Sequence, residues 1–307
     1  MLNSNDGIIL IDKNEGETSF DVVRKVKRAL KRKKVGHAGT LDPFATGLLV
    51  ILLGQGTKLS NCLMSGRKRY LATMKLGIET DTLDRTGRII NTMTVPDLRP
   101  EEIRELFNGF LGEIEQRPPL YSAINYKGKR AYEFARKGIT VDLEKRMVNI
   151  HSMDIISVNL PDITFEVTCS RGTYIRSLAA DIGARLGSTA HLCALRRLAS
   201  GDFDVNNALD SRVMDTDPEG ETISGRIISL KDALTEMKEC AIDSTAAKKI
   251  SNGIKPGIDE LISWEASLGD YSGFIKLTHG SSLVAILEVN NLLRDSKEWL
   301  KNIRVFT

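Results

Sequence analysis

The sequence predicts a protein of helices and strands together, in a large domain that is followed by a small β-rich module. An apolar run at Gly7–Lys13 is typical of a buried strand, and residues 69–76 alternate between apolar and polar side chains as a half-buried strand does. Residues 100–111 instead show the spacing of a helix, with a proline at the start and two glutamates in the first turn. From residue 255 onward, short strand-like segments alternate with glycine turns, and this pattern predicts the β-rich module.

The composition and length set limits on the class of protein. The chain has 307 residues, of which 41% are hydrophobic and 27% charged, as expected for a globular protein with one large domain and a small appendage. No window approaches the roughly 18 apolar residues that a membrane-spanning helix needs, and residues 1–6 lack the zones of a signal peptide. The four cysteines are scattered and form no CxxC pair, which argues against a disulfide framework or a zinc site. We therefore expect a cytoplasmic protein without a bound metal and without a membrane partner.

Positive charge is concentrated in one short block. Residues 24–34 hold eight basic side chains and no acidic one, whereas residues 240–307 hold eight of each sign. The exposed face of a helix usually mixes both signs, so an unmixed basic block favours a polyanionic partner such as a nucleic acid over a merely solvated surface.

The same block lies in a predicted helix that begins after residue 17. Thr18 or Ser19 can cap its first turn, where an acidic residue suits the helix dipole. Four apolar side chains recur at helical spacing and are expected to face the core: Phe20, Val23, Val26 and Leu30. The basic end of this helix then leads directly into a glycine-rich turn.

That turn, at residues 36–49, presents a single carboxylate, Asp42. Glycines at three of its positions permit positive φ or the close approach of another backbone. Pro43 biases Asp42 towards an extended conformation and prevents a helix from including it. Such a turn holds the Asp42 side chain out from the chain in one orientation, as a catalytic group requires. An Asp-Pro pair between glycines also makes ordinary surface turns, and spacing alone does not separate the two interpretations.

Two further segments carry side chains of functional interest. Tyr70 lies on the apolar side of the strand at residues 69–76, where the simplest interpretation is a buried core tyrosine. Residues 117–138 combine a proline-aromatic loop with a basic loop and a short helix that ends at Gly138. Basic residues interleaved with tyrosines suit contact with phosphates and bases, although tyrosines at this spacing are also typical of the buried side of a helix. The basic residues concerned include Lys127, Lys129, Arg130 and Arg136.

An arginine begins a predicted helix over residues 174–186, which follows a strand that ends at residue 169. The first turn of a helix favours anions, so the position of Arg176 opposes the helix dipole. We therefore expect Arg176 to meet a carboxylate or a phosphate. Arg196 and Arg197 add two more basic residues beyond this helix.

Other segments are predicted to have structural roles. Residues 80–87 resemble a calcium loop only superficially, because their carboxylates are wrongly spaced, and we interpret them as a loop between strands. The apolar run at residues 48–53 is a buried strand or a buried helix. Residues 205–225 are polar and rich in turns, which indicates a linker or an extended excursion. Residues 229–237 and 244–253 are predicted to form short helices.

Taken together, these motifs resemble the TruB family of tRNA pseudouridine synthases in its bacterial stand-alone form. The resemblance is carried by GHAGTLDPFATGLL in the glycine-rich turn, by GIILIDK before it and by KRY at residues 68–70. It continues through PPLYSA, GKRAYEFARKG, SRGTYIRSLAADIG and ALRRL, and so covers nearly the whole chain. The tail, which ends with IRVF at residues 303–306, is similar to a PUA-type RNA-binding domain.

The resemblance implies an α+β pseudouridine-synthase fold with a mixed, largely antiparallel central sheet and a small β-rich, PUA-like C-terminal domain. It implies a catalytic domain over residues 1–238, with an RNA-gripping insertion at about 117–150, and an RNA-binding domain over residues 239–307. The strands and helices predicted above agree with this arrangement but do not by themselves derive it.

The reaction that the resemblance implies is the isomerisation of uridine 55 in the T arm of tRNA to pseudouridine. The base is detached from its sugar, rotated and reattached through C5, without a cofactor. Asp42 would be the essential carboxylate, acting as a nucleophile or a base. Arg176 would form a salt bridge to Asp42 and keep it ionised and oriented, and Tyr70 would stack on the reacting base where C5 is deprotonated.

The target base is stacked within the RNA fold, so the resemblance also implies that it is flipped out of the stack. His37 would fill the vacated space, Leu195 would close the apolar side of the pocket, and Tyr174 would support it. The implied partner is the T-arm stem-loop of tRNA, with neither a guide RNA nor an obligate protein partner. The other RNA contacts are assigned to basic side chains: Lys13, Lys127, Lys129, Arg130, Arg136 and Arg196.

Two residues depart from the usual pattern of the family. Asn14 stands where a proline is common, and this change affects the stiffness of the loop. Asn125 stands where a lysine is common, which removes one phosphate contact unless Lys127 restores the charge. Neither change touches the catalytic residues.

Two other functional classes fit part of these residues. A non-catalytic RNA-binding or chaperone protein would need the basic surfaces but not Asp42, Tyr70 and Arg176 together. A guide-dependent pseudouridine synthase of the archaeal and eukaryotic type shares much of the sequence but more often has a serine at the position of Ala38. An additional RNA-folding role would leave no separate mark in the sequence.

Overall fold

The computed structural model describes residues 6–217, 219–265, 271–290 and 300–306. Its strands are β1 (Gly7–Lys13), β2 (Val35–His37), β3 (Thr46–Leu53), β4 (Lys68–Leu76), β5 (Ile78–Thr80), β6 (Ile89–Thr92), β7 (Gly112–Gln116), β8 (Asn125–Tyr126), β9 (Lys129–Arg130), β10 (Arg146–Asn159), β11 (Asp162–Cys169), β12 (Ala190–Ser200), β13 (Phe203–Asp204), β14 (Leu209–Asp210), β15 (Ile228–Ser229), β16 (Lys238–Ala241), β17 (Gly273–His279), β18 (Ser282–Val289) and β19 (Leu300–Val305). Its helices are α1 (Ser19–Ala29), α2 (Ser60–Ser65), α3 (Pro100–Asn108), α4 (Ala131–Ala135), α5 (Ile175–Arg185), α6 (Val213–Thr216), α7 (Glu221–Ser224), α8 (Ser244–Ser251) and α9 (Ile258–Trp264), with 3₁₀ turns at Gly54–Leu59 and Val205–Asn207. Among these described helices, none has the length and apolar character needed to cross a membrane.

The large domain is built on one mixed sheet. Its strands lie in the order β14-β1-β3-β12-β4-β11-β10-β7, with β2, β13 and β15 paired at its margins. The β3–β12 and β1–β14 pairs are parallel, and the other neighbours in this order are antiparallel. The prediction of a mixed, largely antiparallel sheet is therefore confirmed, and the apolar run at residues 48–53 is a strand.

A second, four-stranded sheet, β16-β17-β18-β19, forms the β-rich C-terminal region that the sequence predicts. It packs against the large domain, because Leu283 and Ile286 of β18 lie in one apolar cluster with Ile8 of β1. Lys58 Nζ donates a hydrogen bond to the Val305 carbonyl oxygen at 2.7 Å. The last strand is thereby attached to the first 3₁₀ turn of the large domain.

Helix α1 packs one face on β1 and β3, and its predicted N-cap, Thr18, is confirmed. The prediction for Phe20 is wrong, because this ring is 63% exposed whereas Val22 is fully buried. Ser19 begins the buried stripe instead: its hydroxyl donates to the Leu41 carbonyl oxygen at 3.1 Å. This contact fixes the rotation of the helix, so the side chain of the next residue points to solvent.

The largest apolar cluster lies between the sheet and helices α3 and α5. Phe107 of α3 meets Phe165 of β11 edge to face, with ring centroids 5.4 Å apart, which is a favourable arrangement of aromatic rings. Ile182 of α5 and Leu195 of β12 belong to the same cluster. The packing of α5 on the sheet fixes the position of its first turn, which carries Arg176.

Residues 205–225 do not form a free linker. β14 pairs in parallel with β1 at the edge of the main sheet, and apolar residues of α6 and α7 join the cluster beneath α1. Asp215 forms an ion pair with Lys25 at 2.9 Å, and Glu219 forms one with Lys31 at 3.0 Å. The segment packs beneath α1 through its apolar residues, and its carboxylates partly neutralise the basic block within the molecule.

The prediction of a helix at residues 229–237 is wrong, because β15 ends at residue 229 and residues 230–237 form successive turns; the helix predicted at residues 244–253 is confirmed as α8. Lys276 of β17 is buried, and its Nζ donates to the carbonyl oxygens of Leu234 (2.8 Å) and Lys231 (3.3 Å). The ammonium takes up carbonyl groups that a helix would use for its own hydrogen bonds. This contact ties the turns to the C-terminal sheet.

A close backbone contact at Gly47 joins β3 to β12. Gly47 lies opposite Arg197 in the parallel pair, and its φ is +102°. A Cβ atom added there would lie 2.3 Å from the Arg197 carbonyl oxygen and 2.6 Å from the Arg197 nitrogen. Only glycine fits this position, because the backbones would have to separate to admit a side chain.

We expect Gly47→Ala to lower the free energy of unfolding by about 3 kcal/mol or more, since it combines backbone strain with an overpacked contact. Gly16→Ala is the matched control: Gly16 also has a positive φ, but nothing lies within 4 Å of the added Cβ, and strain alone costs about 1–2 kcal/mol. Urea unfolding of both variants at neutral pH measures the difference. Equal losses would contradict the close-contact argument.

Candidate active site

The glycine-rich turn that carries Asp42 is supported by a buried ammonium. Lys13, at the end of β1, is fully buried, and its Nζ donates to the carbonyl oxygens of Glu17 (2.7 Å), Asn14 (2.9 Å) and Pro43 (3.3 Å). Burial lowers the pKa of Lys13 to about 8. The resemblance assigned Lys13 to the RNA contacts, but the structure places it behind the turn, where the ammonium holds backbone oxygens.

A second buried cation, Arg197, holds the same turn at two more carbonyl groups. Its Nε donates to the Leu48 carbonyl oxygen at 2.6 Å, and its Nη2 donates to the Gly39 carbonyl oxygen at 3.1 Å. Gly39 lies outside the strands, where no ladder partner reaches its carbonyl oxygen, so a buried side chain satisfies it. The sequence shows Arg197 only as a basic residue, because spacing does not reveal that an arginine is buried.

Asn14, which replaces the usual proline, gains contacts that a proline would lack. Its Nδ2 donates to Asp210 Oδ1 at 2.7 Å and to Ser211 Oγ at 2.8 Å. These hydrogen bonds attach the loop after β1 to the edge strand β14. The loop is therefore restrained by side-chain contacts where a proline would restrain φ.

Asp42 and Arg176 form an ion pair at the open end of the turn. Arg176 Nε lies 2.9 Å from Asp42 Oδ2, and Arg176 Nη2 donates to Asp42 Oδ1 at 3.2 Å. The side chain of the arginine is 4% exposed and that of the aspartate 34%. A planar guanidinium that meets both oxygens fixes the orientation of the carboxylate, while the carboxylate itself stays accessible to a substrate.

The Arg176 guanidinium has further partners on two other segments. Its Nη1 donates to the Thr82 carbonyl oxygen at 2.8 Å, and its Nη2 donates to the Tyr121 carbonyl oxygen at 2.9 Å. A second carboxylate, Asp84, lies 3.7 Å from Nη1 and is buried. The guanidinium is thus enclosed by two carboxylates and two backbone oxygens. The prediction that Arg176 meets an anionic group is therefore confirmed.

Asp84 is a site residue that sequence reasoning missed. Its Oδ1 accepts hydrogen bonds from the Thr82 hydroxyl (2.8 Å) and the Thr86 N–H (2.9 Å), so it also organises its own loop. The local pattern predicts only a loop between strands here, because it carries no mark of the contact between Asp84 and a distant arginine. Thr82 and Thr86, which stand two residues before and after Asp84, are the only hint in the sequence that this carboxylate is held in place by hydrogen bonds.

Three influences set the pKa of Asp42. Burial raises this pKa most. The adjacent Arg176 guanidinium lowers it, and the negative charge of Asp84 raises it further. The net pKa lies above the ordinary value of an aspartate. The Asp42 carboxylate is therefore a stronger base than a surface aspartate, and the arginine holds it in place.

Tyr70, Leu195 and His37 lie around the same turn. Tyr70 and Leu195 belong to the apolar cluster that includes Leu41, the residue before Asp42. Burial raises the pKa of the Tyr70 hydroxyl, and the negative charge of Asp42 raises it further. His37 is half-buried on β2, and burial together with a nearby arginine lowers its pKa. The lowered pKa favours the neutral imidazole at pH 7, which can pack against an uncharged ring without burying a charge.

Tyr174 is the N-cap residue of α5, two residues before Arg176. The Arg146 guanidinium lies 5.5 Å from the centre of the Tyr174 ring, which is a cation–π contact. Burial raises the pKa of the Tyr174 hydroxyl. The Tyr174 ring is thus held at the same turn of α5 as Arg176, where it can support the pocket around the ion pair.

The basic residues assigned to the insertion surround a small apolar cluster of their own. The Arg136 guanidinium lies 5.2 Å from the centre of the Tyr132 ring. The insertion is connected to the ion pair through the Tyr121 carbonyl group, which binds Arg176. Three more of its predicted RNA-binding side chains are exposed at the β8–β9 hairpin and at the start of α4: Lys127, Lys129 and Arg130.

Arg196 lies on β12, beside Arg197, and meets a carboxylate of the large domain. Its Nη2 lies 2.6 Å from Asp12 Oδ2, and its Nη1 donates to Asp12 Oδ1 at 3.0 Å. The guanidinium remains 37% exposed. A phosphate that binds Arg196 would therefore share it with Asp12.

Two carboxylates in one site raise the question of a metal ion. Here the Arg176 guanidinium lies between Asp42 and Asp84. Within the described ranges, no group of three or more His, Cys, Asp or Glu side chains is arranged as metal ligands would be.

Known proteins resemble this chain over most of its length. The N-terminal domain of TruB family pseudouridylate synthases matches residues 27–175, and the C-terminal domain of tRNA pseudouridylate synthase B matches residues 176–216. The tRNA pseudouridine synthase B of Clostridium kluyveri is 46% identical to this chain over 81% of this chain and 84% of its own length. The protein of the same name from Geotalea uraniireducens is 39% identical over 98% of this chain and 96% of its own length.

Solved structures show the same fold. A chain of a Cbf5-Nop10-Gar1 complex matches with a TM-score of 0.70 and 25% identity, over 99% of this chain and 85% of that chain. A chain of the archaeal box H/ACA sRNP Nop10-Cbf5 complex matches with a TM-score of 0.68 and 24% identity, over 99% and 86% respectively. The motifs of the sequence, the fold and these relatives agree, and this chain belongs to the TruB family of pseudouridylate synthases.

Proposed function

We propose that this chain isomerises uridine 55 in the T arm of tRNA to pseudouridine, as a stand-alone enzyme that needs no guide RNA. The observation that carries the proposal is the Asp42–Arg176 pair, in which a buried guanidinium holds an accessible carboxylate at both oxygens. Relatives that are 39% and 46% identical bear the name tRNA pseudouridine synthase B, which supports tRNA as the substrate.

The reaction needs an anionic group that acts on the sugar or on the base. In the proposed mechanism Asp42 is that group, and it serves as a nucleophile or a base while the bond between N1 and C1′ breaks. The base then rotates and forms a bond from C5 to C1′; C5 loses its proton and N1 gains one. Arg176 stays bound to Asp42 and orients it. Tyr70 stacks on the detached base, where the C5 proton is removed.

The target base must leave the RNA stack before this chemistry begins, at a cost of a few kcal/mol. We propose that His37 occupies the vacated space, a role that its neutral imidazole allows, since stacking requires no charge. Leu195 closes the apolar side of the pocket, and Tyr174 supports it. The exposed cations of the insertion bind the phosphates of the stem-loop.

Two observations favour a stand-alone enzyme over the alternatives. Asp42, Tyr70 and Arg176 occur together, which a purely RNA-binding protein would not need. Ala38 is fully buried, so the serine that is more common in guide-dependent enzymes would place a hydroxyl in the core at this position. The solved complexes that share the fold contain Nop10, one of them together with Gar1; we propose that this chain acts without such partners.

The first test uses the purified chain and an unmodified T-arm stem-loop, with no guide RNA and no other protein. We expect pseudouridine to form at the position that corresponds to uridine 55, because the catalytic residues and the RNA-binding side chains are on one chain. Mass spectrometry of cyanoethylated RNA fragments reports the modified position. Absence of product with this stem-loop, together with product in a guide-RNA complex, would favour the guide-dependent class.

The second test removes the carboxylate. Asp42→Asn keeps the shape of the side chain but not its charge, and we expect the single-turnover rate to fall by about 1000-fold or more, while the stem-loop still binds. Asp215→Asn is the matched control, because it changes an aspartate that pairs with Lys25 outside the site, and it should retain normal turnover. Near-normal turnover by Asp42→Asn would refute the assignment.

The third test concerns pH. Asp42 must be ionised to act, so activity should fall as the pH decreases through its raised pKa. Asp84→Asn removes a negative charge that raises this pKa and keeps the Oδ1 acceptor for its loop, so the acidic limb of the single-turnover rate should move to lower pH. Asp81→Asn is the control. The Asp81 carboxylate lies in the same loop but binds Arg88, so this change should leave the acidic limb in place. A limb that moves to higher pH in Asp84→Asn would contradict the argument.

A further inference from the structure

The structure assigns a positioning role to Gln116, which we infer sets the orientation of Arg176 and through it the catalytic carboxylate. The inference rests on the proposed function, and it concerns a buried residue whose side-chain hydrogen bonds go to Tyr174 and not to Asp42. Gln116 is the last residue of β7 and is 1% exposed. A buried amide must find partners for both its donor and its acceptor.

Both halves of the Gln116 amide bind the backbone of one residue. The Tyr174 N–H donates to Gln116 Oε1 at 2.8 Å, and Gln116 Nε2 donates to the Tyr174 carbonyl oxygen at 3.1 Å. Tyr174 is the N-cap of α5, and its own side chain makes no capping hydrogen bond. The Gln116 amide therefore fixes the N-cap residue, because it accepts from the N-cap N–H as the side chain of a Glu or Gln at the third helical position does in a capping box.

The chain that follows Gln116 continues along the same helix turn. The Ser177 hydroxyl donates to the Arg117 carbonyl oxygen at 2.9 Å, and Arg176 Nη2 donates to the Tyr121 carbonyl oxygen at 2.9 Å. Together with the two amide contacts, four hydrogen bonds join the root of the insertion to the first turn of α5. The guanidinium that holds Asp42 is thus directed by the segment that leads into the RNA-binding hairpin.

Because Gln116 supports Arg176 from behind, its loss should change the rate of the chemical step and not the affinity for RNA. Loss of the Gln116 contacts would let the start of α5 rotate, and a displacement of about 1 Å at a reacting group can reduce a rate by about 100-fold. Gln116 itself is buried and is not expected to contribute to RNA binding. A positioning residue should therefore change the rate constant at saturating RNA and leave the dissociation constant unchanged.

The experiment compares Gln116→Met with the wild type in single-turnover assays on the T-arm stem-loop. The methionine has a similar length but makes neither hydrogen bond, and we expect the rate constant at saturating enzyme to fall at least about tenfold. We expect the dissociation constant to stay within about twofold of the wild type. Ile182→Val is the control for a general loss of stability, because it removes a methylene from the buried face of the same helix and should keep the wild-type rate constant.

A second variant, Gln116→Glu, provides a readout that a general packing defect would not give. Arg146 of β10 is the residue paired with Gln116, and its guanidinium lies over the ring of Tyr174, which is the adjacent titratable group. Arg176 follows two residues later on α5, with its guanidinium on Asp42 and Asp84. An ionised glutamate can accept from the Tyr174 N–H but cannot donate to the Tyr174 carbonyl oxygen. The protonated acid can do both, so the rate of this variant relative to the wild type should rise as the pH falls.

The outcomes separate the inference from the proposed function. A wild-type rate constant in Gln116→Met, a loss confined to the dissociation constant, or a Gln116→Glu ratio that does not rise at lower pH would each overturn the positioning role. A wild-type chain that forms no pseudouridine in the T-arm stem-loop would instead refute the proposed function. Because Gln116→Glu retains one of the two hydrogen bonds, its pH response tests the inference even where Gln116→Met does not fold.

Discussion

A buried guanidinium between two carboxylates is the contact on which the rest of the site depends. Arg176 binds Asp42, lies 3.7 Å from Asp84 and donates to the carbonyl oxygens of Thr82 and Tyr121. Removal of one partner from a buried charge costs about 3–5 kcal/mol, so each segment that supplies a partner is held firmly to α5. The contacts that orient the carboxylate therefore also join the turn, the loop after β5 and the insertion to one helix.

Two other buried cations explain how the Asp42 turn is irregular and yet fixed. Lys13 and Arg197 donate to the carbonyl oxygens of Pro43 and Gly39, which a regular sheet ladder does not reach. Charged donors make stronger hydrogen bonds than neutral ones, and burial protects these from competition by water. The pKa of Lys13, lowered to about 8, leaves it protonated at neutral pH, and its support of the turn weakens above that value.

Local patterns predicted the main strands, the helices α1, α3 and α5, and the turn around Asp42, because periodicity and caps are local properties. An arginine against a helix dipole also predicted an anionic partner, which the fold supplies from a residue 134 positions away. The patterns did not show that Lys13 and Arg197 are buried, since a basic residue looks the same in a sequence whether it meets solvent or a carbonyl oxygen. They missed Asp84 for the same reason: its role depends on a contact between distant segments, and its own loop is consistent with a simple turn. Phe20 was misplaced because the rotation of α1 is set by the contact of Ser19 with the turn.

The placement of the cations also changes the interpretation of the basic block at residues 24–34. Three of its eight basic residues form ion pairs with carboxylates of the same chain: Arg24 with Asp21, Lys25 with Asp215 and Lys31 with Glu219. Cations drive RNA affinity by releasing counterions from phosphates, and a cation that already faces a carboxylate gains less from a phosphate. The exposed cations of the β8–β9 hairpin belong to the segment whose root binds Arg176. Under the proposed function, the affinity for the stem-loop should therefore depend more on the insertion than on the helix, although charge density along the sequence suggests the opposite order.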